Sequence, residues 1–216
     1  MKTPFKNTHD ALIFDMDGTL WDAVPTYTKS WNDYFEANHI DKFFTDEYLM
    51  GYMGWEEEPY LAAVLPEYSI YERNKIYKEV INLQYSNIEK HGGRLYDGVV
   101  SGLENLSKEY QLFIVSNCAE HTITRFMKWA KIEPFIIDSM AFGLNHRPKS
   151  ENITYLVTKY QLKNPVYIGD TQGDADQSAL VPIPFVYVSY GFGTAADYLQ
   201  KFDSFNDLTA YYLSLV

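Results

Sequence analysis

The chain has 216 residues, 46% hydrophobic and 22% charged, with 29 acidic against 18 basic side chains and a net charge of −11. This is ordinary globular composition. It excludes a disordered chain, argues against nucleic acid, which needs a cationic face, and leaves no apolar run near the ~18 residues of a membrane span. The N-terminal MKTPFKNTHD lacks the apolar core of a secretory signal and Cys118 is the single cysteine, so no intramolecular disulfide can form and a cytoplasmic location is expected.

The first apolar run, residues 11–15 (ALIFD), predicts a buried strand. The next, 112–116 (LFIVS), comes only after roughly 95 residues, too many for one crossover helix. Within that gap, residues 25–38 read as a helix. Ser69 and Glu72 have capping-box spacing for a second helix running to about Lys90, which Gly92 and Gly93 end. Residues 22–92 therefore read as a helical insertion large enough for a small domain, leaving 1–21 and 93–216 as the core. A helix at 120–130 follows, with Ile123, Phe126, Met127 and Ala130 on one stripe. Next come a strand at 135–139 (FIIDS), a helix from an N-cap at Ser150 to Tyr160, and strands at 166–170 (VYIGD) and 185–189 (FVYVS). Ser204 and Asp207 open a last helix. The strands are continuously apolar, as in a parallel sheet covered on both faces. The prediction is an α/β fold, a doubly wound parallel sheet with a small α-helical cap above the carboxyl ends of its strands.

Polar residues gather at those strand ends. Asp15 and Asp17, in DMDGT, are two apart on extended chain and so point to one side, and Gly18 lets the chain turn away. Ser116 and Asn117 end the second strand just before a helix, a pattern that suits an anion. Lys149 stands at a helix entrance, and GDTQGD at 169–174 adds Asp170 and Asp174. Four converging carboxylates cannot all stay ionised without a cation, and an all-oxygen donor set suits Mg²⁺. Carboxylates, Mg²⁺, a lysine and a helix N-terminus together fit phosphoryl transfer, with an aspartate as nucleophile. Each residue also has a plainer reading. Asp17 before Gly18 is good turn chemistry, Lys149 could be a solvated helix-start lysine, and Asp174 suits the first turn of a helix. Asp176 reads as surface charge, Cys118 as a buried inert thiol rather than a reactive one, and the five histidines show no metal-ligand spacing.

The four motifs, in this order and at these strand ends, resemble the haloacid dehalogenase superfamily, in its branch of phosphoglycolate phosphatases and β-phosphoglucomutases with a helical cap. The resemblance implies that Asp15 is the nucleophile and a Mg²⁺ ligand. Asp17 would be the general acid and then base, its backbone carbonyl touching the metal. Ser116, the backbone of Asn117, and Lys149 would hold the phosphoryl group. Asp170 would bind Mg²⁺ directly, and Asp174 directly or through water. The second aspartate favours an oxygen leaving group. The mutases carry a histidine ten residues after it, where this chain has Tyr27. The expected function is thus Mg²⁺-dependent hydrolysis of a small phosphomonoester through an aspartyl-phosphate, with a phosphomutase as the alternative. A non-catalytic binding domain is disfavoured because no motif residue is missing.

The resemblance also places a specificity loop at 43–59, which has five acidic residues, no lysine or arginine, and several aromatics. That implies a neutral or cationic leaving group, such as a sugar or other small alcohol, stacked on Tyr52 or Trp55, unless Arg73, Lys75 or a core residue reaches the pocket. The expected partners are a small phosphorylated metabolite and at most a second copy in a weak homodimer, with neither nucleic acid nor membrane. Cap movement is expected to hinge near 21–25 and 92–97.

Overall fold

A computed structural model describes residues 9–216. Residues 1–8, most of the stretch read for the lack of a secretory signal and the start of the expected core segment, lie outside the described residues. In chain order the elements are β1 (Ala11–Phe14), β2 (Trp21–Asp22), α1 (Val24–Ala37), α2 (Asp46–Met50), α3 (Glu57–Val64), α4 (Ile70–His91) and β3 (Arg94–Leu95). Then come α5 (Val99–Leu106), β4 (Gln111–Ser116), α6 (Thr122–Ala130), β5 (Asp138–Ala141), α7 (Phe142–Asn145) and α8 (Lys149–Tyr160). The chain ends with β6 (Pro165–Gly169), α9 (Gln172–Ala179), β7 (Phe185–Val188), β8 (Gln200–Phe202) and α10 (Phe205–Leu213).

Six strands form one sheet in the order β5-β4-β1-β6-β7-β8, every neighbour parallel. The doubly wound α/β expectation is met. Side chains alternate across β1: Leu12 and Phe14 enter one core with Leu103, Phe126 and Phe205, while Ala11 and Ile13 enter the other with Ile153, Leu156 and Tyr167. Both faces are covered by helices, which is why each strand reads as an unbroken apolar run. The chain winds outward from β1 to β4 and β5, then returns to add β6, β7 and β8 on the other side. This reversal opens a crevice at the carboxyl end of β1, where open α/β sheets bind ligands.

The helices between β2 and β3 bury a cluster of their own, with Trp31, Phe35, Phe44, Leu61 and Val80 in it. Many of the aromatic side chains go there, with the Trp31 indole N–H donating to the Tyr60 hydroxyl at 2.7 Å. Ser69 and Glu72 form both halves of the capping box, so α4 starts where its spacing puts it. The chain enters and leaves this helical segment through the antiparallel pair β2–β3, with Thr26 Oγ1 donating to the Gly92 carbonyl across the two ends. No helix among the described residues is long and apolar enough to cross a membrane.

Three expectations need correction. The strand expected at 135–139 lies at Asp138–Ala141. Pro134 presets a 3₁₀ turn over Glu133–Phe135, Phe135 and Ile136 pack back onto the core, and bonding to β4 begins only with Ile137 N–H to the Leu112 carbonyl at 2.9 Å. Ser150 is not an N-cap. Extended Pro148 takes that place, and the Ser150 N–H, inside the first turn, donates to Gln177 Oε1 at 3.0 Å. The helix expected at 120–130 begins at Thr122, so it does not follow Asn117 directly. The intervening turn is pinned by Gly143 N–H to the Cys118 carbonyl at 3.0 Å and by His121 N–H to the Tyr85 hydroxyl at 3.2 Å.

Candidate active site

The carboxyl ends of β1, β4 and β6 deliver Asp15, Ser116 and Asp170, all three buried. The chain turns away after Asp17 through Gly18 at φ +82°, and a Cβ there would collide with the Asp170 carboxylate. Gly18→Ala is therefore expected to destabilise the protein by about 2 kcal/mol or more, from the left-handed backbone and the collision together. Chemical denaturation measures this, and an unchanged midpoint would refute the close approach.

Lys149, the first residue of α8, reaches back under the sheet ends. Its ammonium lies 3.0 Å from Asp15 Oδ1 and 2.6 Å from Asp174 Oδ1, and 5.5 Å from the centre of the Tyr167 ring. Burial works against the charged amine, but Asp15 and Asp174 more than offset this and hold it protonated. Thus Lys149 is a buried cation fixed by two carboxylates, rather than a solvated helix-start lysine.

Asp174 has little capacity left. Its Oδ1 takes the lysine, and its Oδ2 accepts from Asp170 N–H at 3.2 Å, Thr171 N–H at 3.1 Å and Thr171 Oγ1 at 2.8 Å. Those last bonds complete a capping box that starts α9. Asp170 accepts from Phe192 N–H at 2.7 Å and Thr19 Oγ1 at 3.3 Å. Asp176 is exposed and bonded to Gln172.

Carboxylate oxygens of Asp15, Asp170 and Asp174 all lie within 4.8 Å of one another. Burial raises Asp15 to about 6, with Lys149 lowering it and Asp174 raising it. Burial, then Asp174 and Asp15, push Asp170 well above the usual carboxylate range. Burial and Asp15 raise Asp17 to about 7, against the hydrogen bond from Tyr27. One ammonium cannot neutralise this group of acids. A hard dication with oxygen ligands would, so the donor set fits a divalent metal such as Mg²⁺.

A cavity of about 70 Å³ opens beside these groups. Asp15, Asp17, Ser116 and Asn117 line its floor, and Tyr52 and Trp55 line its roof. Every sequence-derived site residue except Lys149, Asp170 and Asp174 borders it directly, and those three stand behind Asp15 and Gly18. The stretch 43–59 is not an open loop: Thr45 caps the short α2, accepting from Tyr48 N–H at 3.2 Å, and α3 begins at Glu57. Roof and floor touch where Asn117 Nδ2 donates to the Gly54 carbonyl at 2.9 Å. Cys118, only half-buried rather than fully buried as expected, also lines the cavity, and desolvation followed by the charges of Asp17 and Asp15 pushes its thiol upward.

Several contributors were not anticipated. Tyr27 donates to Asp17 Oδ1 at 3.0 Å, Gln84 of α4 lines the cavity, and the Tyr167 hydroxyl lies 3.4 Å from Asp174 while donating to the Val115 carbonyl at 3.0 Å. The Gly-rich SYGFG after β7, whose Phe192 amide holds Asp170, was the one visible signal for a further loop at the site.

The family model described as haloacid dehalogenase-like hydrolase matches residues 12–188. A phosphoglycolate phosphatase of Rhodobacter capsulatus is 26% identical over 213 residues, covering 93% of this chain and 94% of that protein. The pyrophosphatase PpaX of Listeria monocytogenes serotype 4b is 26% identical over 174 residues, 76% of each chain. Among solved structures, a haloacid dehalogenase-like family hydrolase from Streptococcus pneumoniae superposes with a TM-score of 0.82 at 21% identity, covering 95% of this chain and 99% of that one.

Proposed function

Since the chain belongs to the haloacid dehalogenase-like hydrolase family, we propose that it is a Mg²⁺-dependent phosphatase that hydrolyses a small phosphomonoester through an aspartyl-phosphate on Asp15. In this reading residues 22–92 are a cap over a core of 1–21 and 93–216. The observation that carries it is the convergence of Asp15, Asp17 and Ser116 on one cavity, with Lys149 fastened to Asp15 at 3.0 Å.

Asp15 forms a bond to phosphorus as the ester P–O bond breaks. Asp17, raised to about 7, is protonated in a large fraction of molecules at neutral pH, and in that form it gives its proton to the departing alkoxide. Once ionised, Asp17 takes a proton from the water that attacks the acyl phosphate, which frees Asp15 and releases inorganic phosphate. Ser116 Oγ, the Asn117 backbone and the Lys149 ammonium hold the phosphoryl oxygens. Asp15, Asp170 and the Asp17 carbonyl would hold Mg²⁺, which supplies positive charge against the transferring phosphoryl group. Asp174, its oxygens already committed to Lys149 and the start of α9, positions the lysine and would meet the metal only through water.

The phosphomutase alternative lacks support at Tyr27. Its hydroxyl is bonded to Asp17 where the mutase pattern has a histidine.

A screen of small phosphomonoesters tests the reading. Phosphate release is expected with Mg²⁺, lost with a chelator, and restored on adding the metal back. Release indifferent to chelation, or isomerisation of a sugar phosphate without phosphate release, would overturn it.

A further inference from the structure

We propose that the cap side of the cavity takes a leaving alcohol carrying a positively charged amine, with Glu57 as its counter-ion, Gln84 as a hydrogen-bond acceptor, and the rings of Tyr52, Trp55 and Tyr60 as its wall. This inference rests on the phosphatase reading and names its substrate class, an amino-alcohol monophosphate.

Charge is the first argument. Of the three consecutive glutamates 56–58, Glu56 and Glu58 are exposed, whereas Glu57, at the start of α3, is half-buried and lines the cavity. Its side chain makes no hydrogen bond or ion pair among the described residues. His146, which acts on it electrostatically, stands outside the lining. No lysine or arginine lines the cavity among the described residues. The cap cations are committed elsewhere: Arg73 donates to the Leu65 carbonyl at 2.9 Å and the Pro66 carbonyl at 3.2 Å, and Lys42 pairs with Glu67 at 2.7 Å. Lys75 is exposed and does not line the cavity. An anionic leaving group would therefore face Glu57 and Asp17 with no cap cation to meet it, whereas an ammonium would meet a half-desolvated carboxylate.

The wall and the fit argue the same way. Tyr52 and Trp55 stand 5.3 Å apart at 78°, and Tyr52 and Tyr60 lie 6.3 Å apart, presenting aromatic surface of the kind that attracts cations. Gln84 is only 7% exposed and lines the cavity, and its side chain makes no hydrogen bond among the described residues, so its amide oxygen is available to an N–H donor. A volume of about 70 Å³ has room for only a few waters, which favours a small leaving group.

Three esters of similar size separate the charges: 2-aminoethyl phosphate (cation), propyl phosphate (neutral) and 2-phosphoglycolate (anion). With Mg²⁺, kcat/KM should fall in that order, with the aminoethyl ester about tenfold above the propyl ester. Glu57→Gln should shrink that ratio to about threefold or less, and Glu57→Lys should move the preference toward 2-phosphoglycolate. Position 57 lies at the start of α3 and is only half-buried, so both variants should fold, which circular dichroism checks. Propyl phosphate or 2-phosphoglycolate turned over as well as the aminoethyl ester, or a ratio untouched by Glu57→Gln, would overturn the inference. Propyl phosphate hydrolysis without charge preference would end this inference and leave the phosphatase reading standing. No release from any of the three or from p-nitrophenyl phosphate would end both.

Discussion

Asp15→Asn is expected to cut phosphate release by about four orders of magnitude or more, the scale seen when an essential nucleophile is removed. Asparagine is isosteric with aspartate, so the buried end of β1 keeps its packing, and the new amide oxygen can still accept from Lys149. What is lost is the proposed nucleophile, since a neutral amide cannot attack phosphorus as a carboxylate does. Two further readouts separate this from a collapsed site. Wild type denatured during turnover of a ³²P-labelled ester should carry acid-stable label on the peptide containing Asp15, and the variant none. The metal-free variant should also melt higher than metal-free wild type at neutral pH. Burial holds Asp15 at about 6, so its charge is carried at a cost there that the amide avoids. Substantial release from the variant would point to another nucleophile or to a contaminating phosphatase.

The acids were readable because each sits where an apolar run ends. Asp15 and Asp170 follow buried strands that pair side by side, and the two-residue offset places Asp17 beside Asp15 before the chain turns at Gly18. Residues that reach the site from elsewhere have no such signature. Tyr27 meets Asp17 because of how α1 leaves β2, and Gln84 lines the cavity because α4 packs against α1. Nothing within a few residues of either encodes that placement. The run of three glutamates shows the same limit in reverse: their charge is plain in the sequence, but only the pitch of α3 decides that Glu57 turns inward. The strand at 135–139 was misplaced because an apolar run also suits a connection that packs on the core, and Pro134 decided between the two. The strands β2, β3 and β8 span only two or three residues each, too few for any period to register.

The metal-free protein should lose stability as pH rises from about 4 to about 7, and Mg²⁺ should return much of it at the upper end. Burial leads the causes that raise Asp15 to about 6 and Asp17 to about 7 from 3.8, and Asp170 is pushed well above the usual range as well. A carboxyl raised on folding binds more protons folded than unfolded throughout the interval between its two pKa values. Stability is therefore full below the unfolded value and falls as pH climbs through the folded one. A tenfold change in proton affinity on folding corresponds to about 1.4 kcal/mol, so these coupled groups together cost on the order of a few kcal/mol at neutral pH. At roughly 2–4 °C per kcal/mol for a chain of this size, Tm in a chelator should drop by about 10 °C between pH 5 and pH 8. The proposed Mg²⁺ would bind the ionised carboxylates, so at fixed concentration it should raise Tm little at pH 5 and by several degrees at pH 8. Asp17→Asn should flatten the upper part of the chelator curve, because it removes the group titrating near 7. Differential scanning fluorimetry over this pH range, with and without metal, decides the matter. A Tm indifferent to pH in chelator, or a Mg²⁺ gain equal at both ends, would mean that these acids do not share an uncompensated charge.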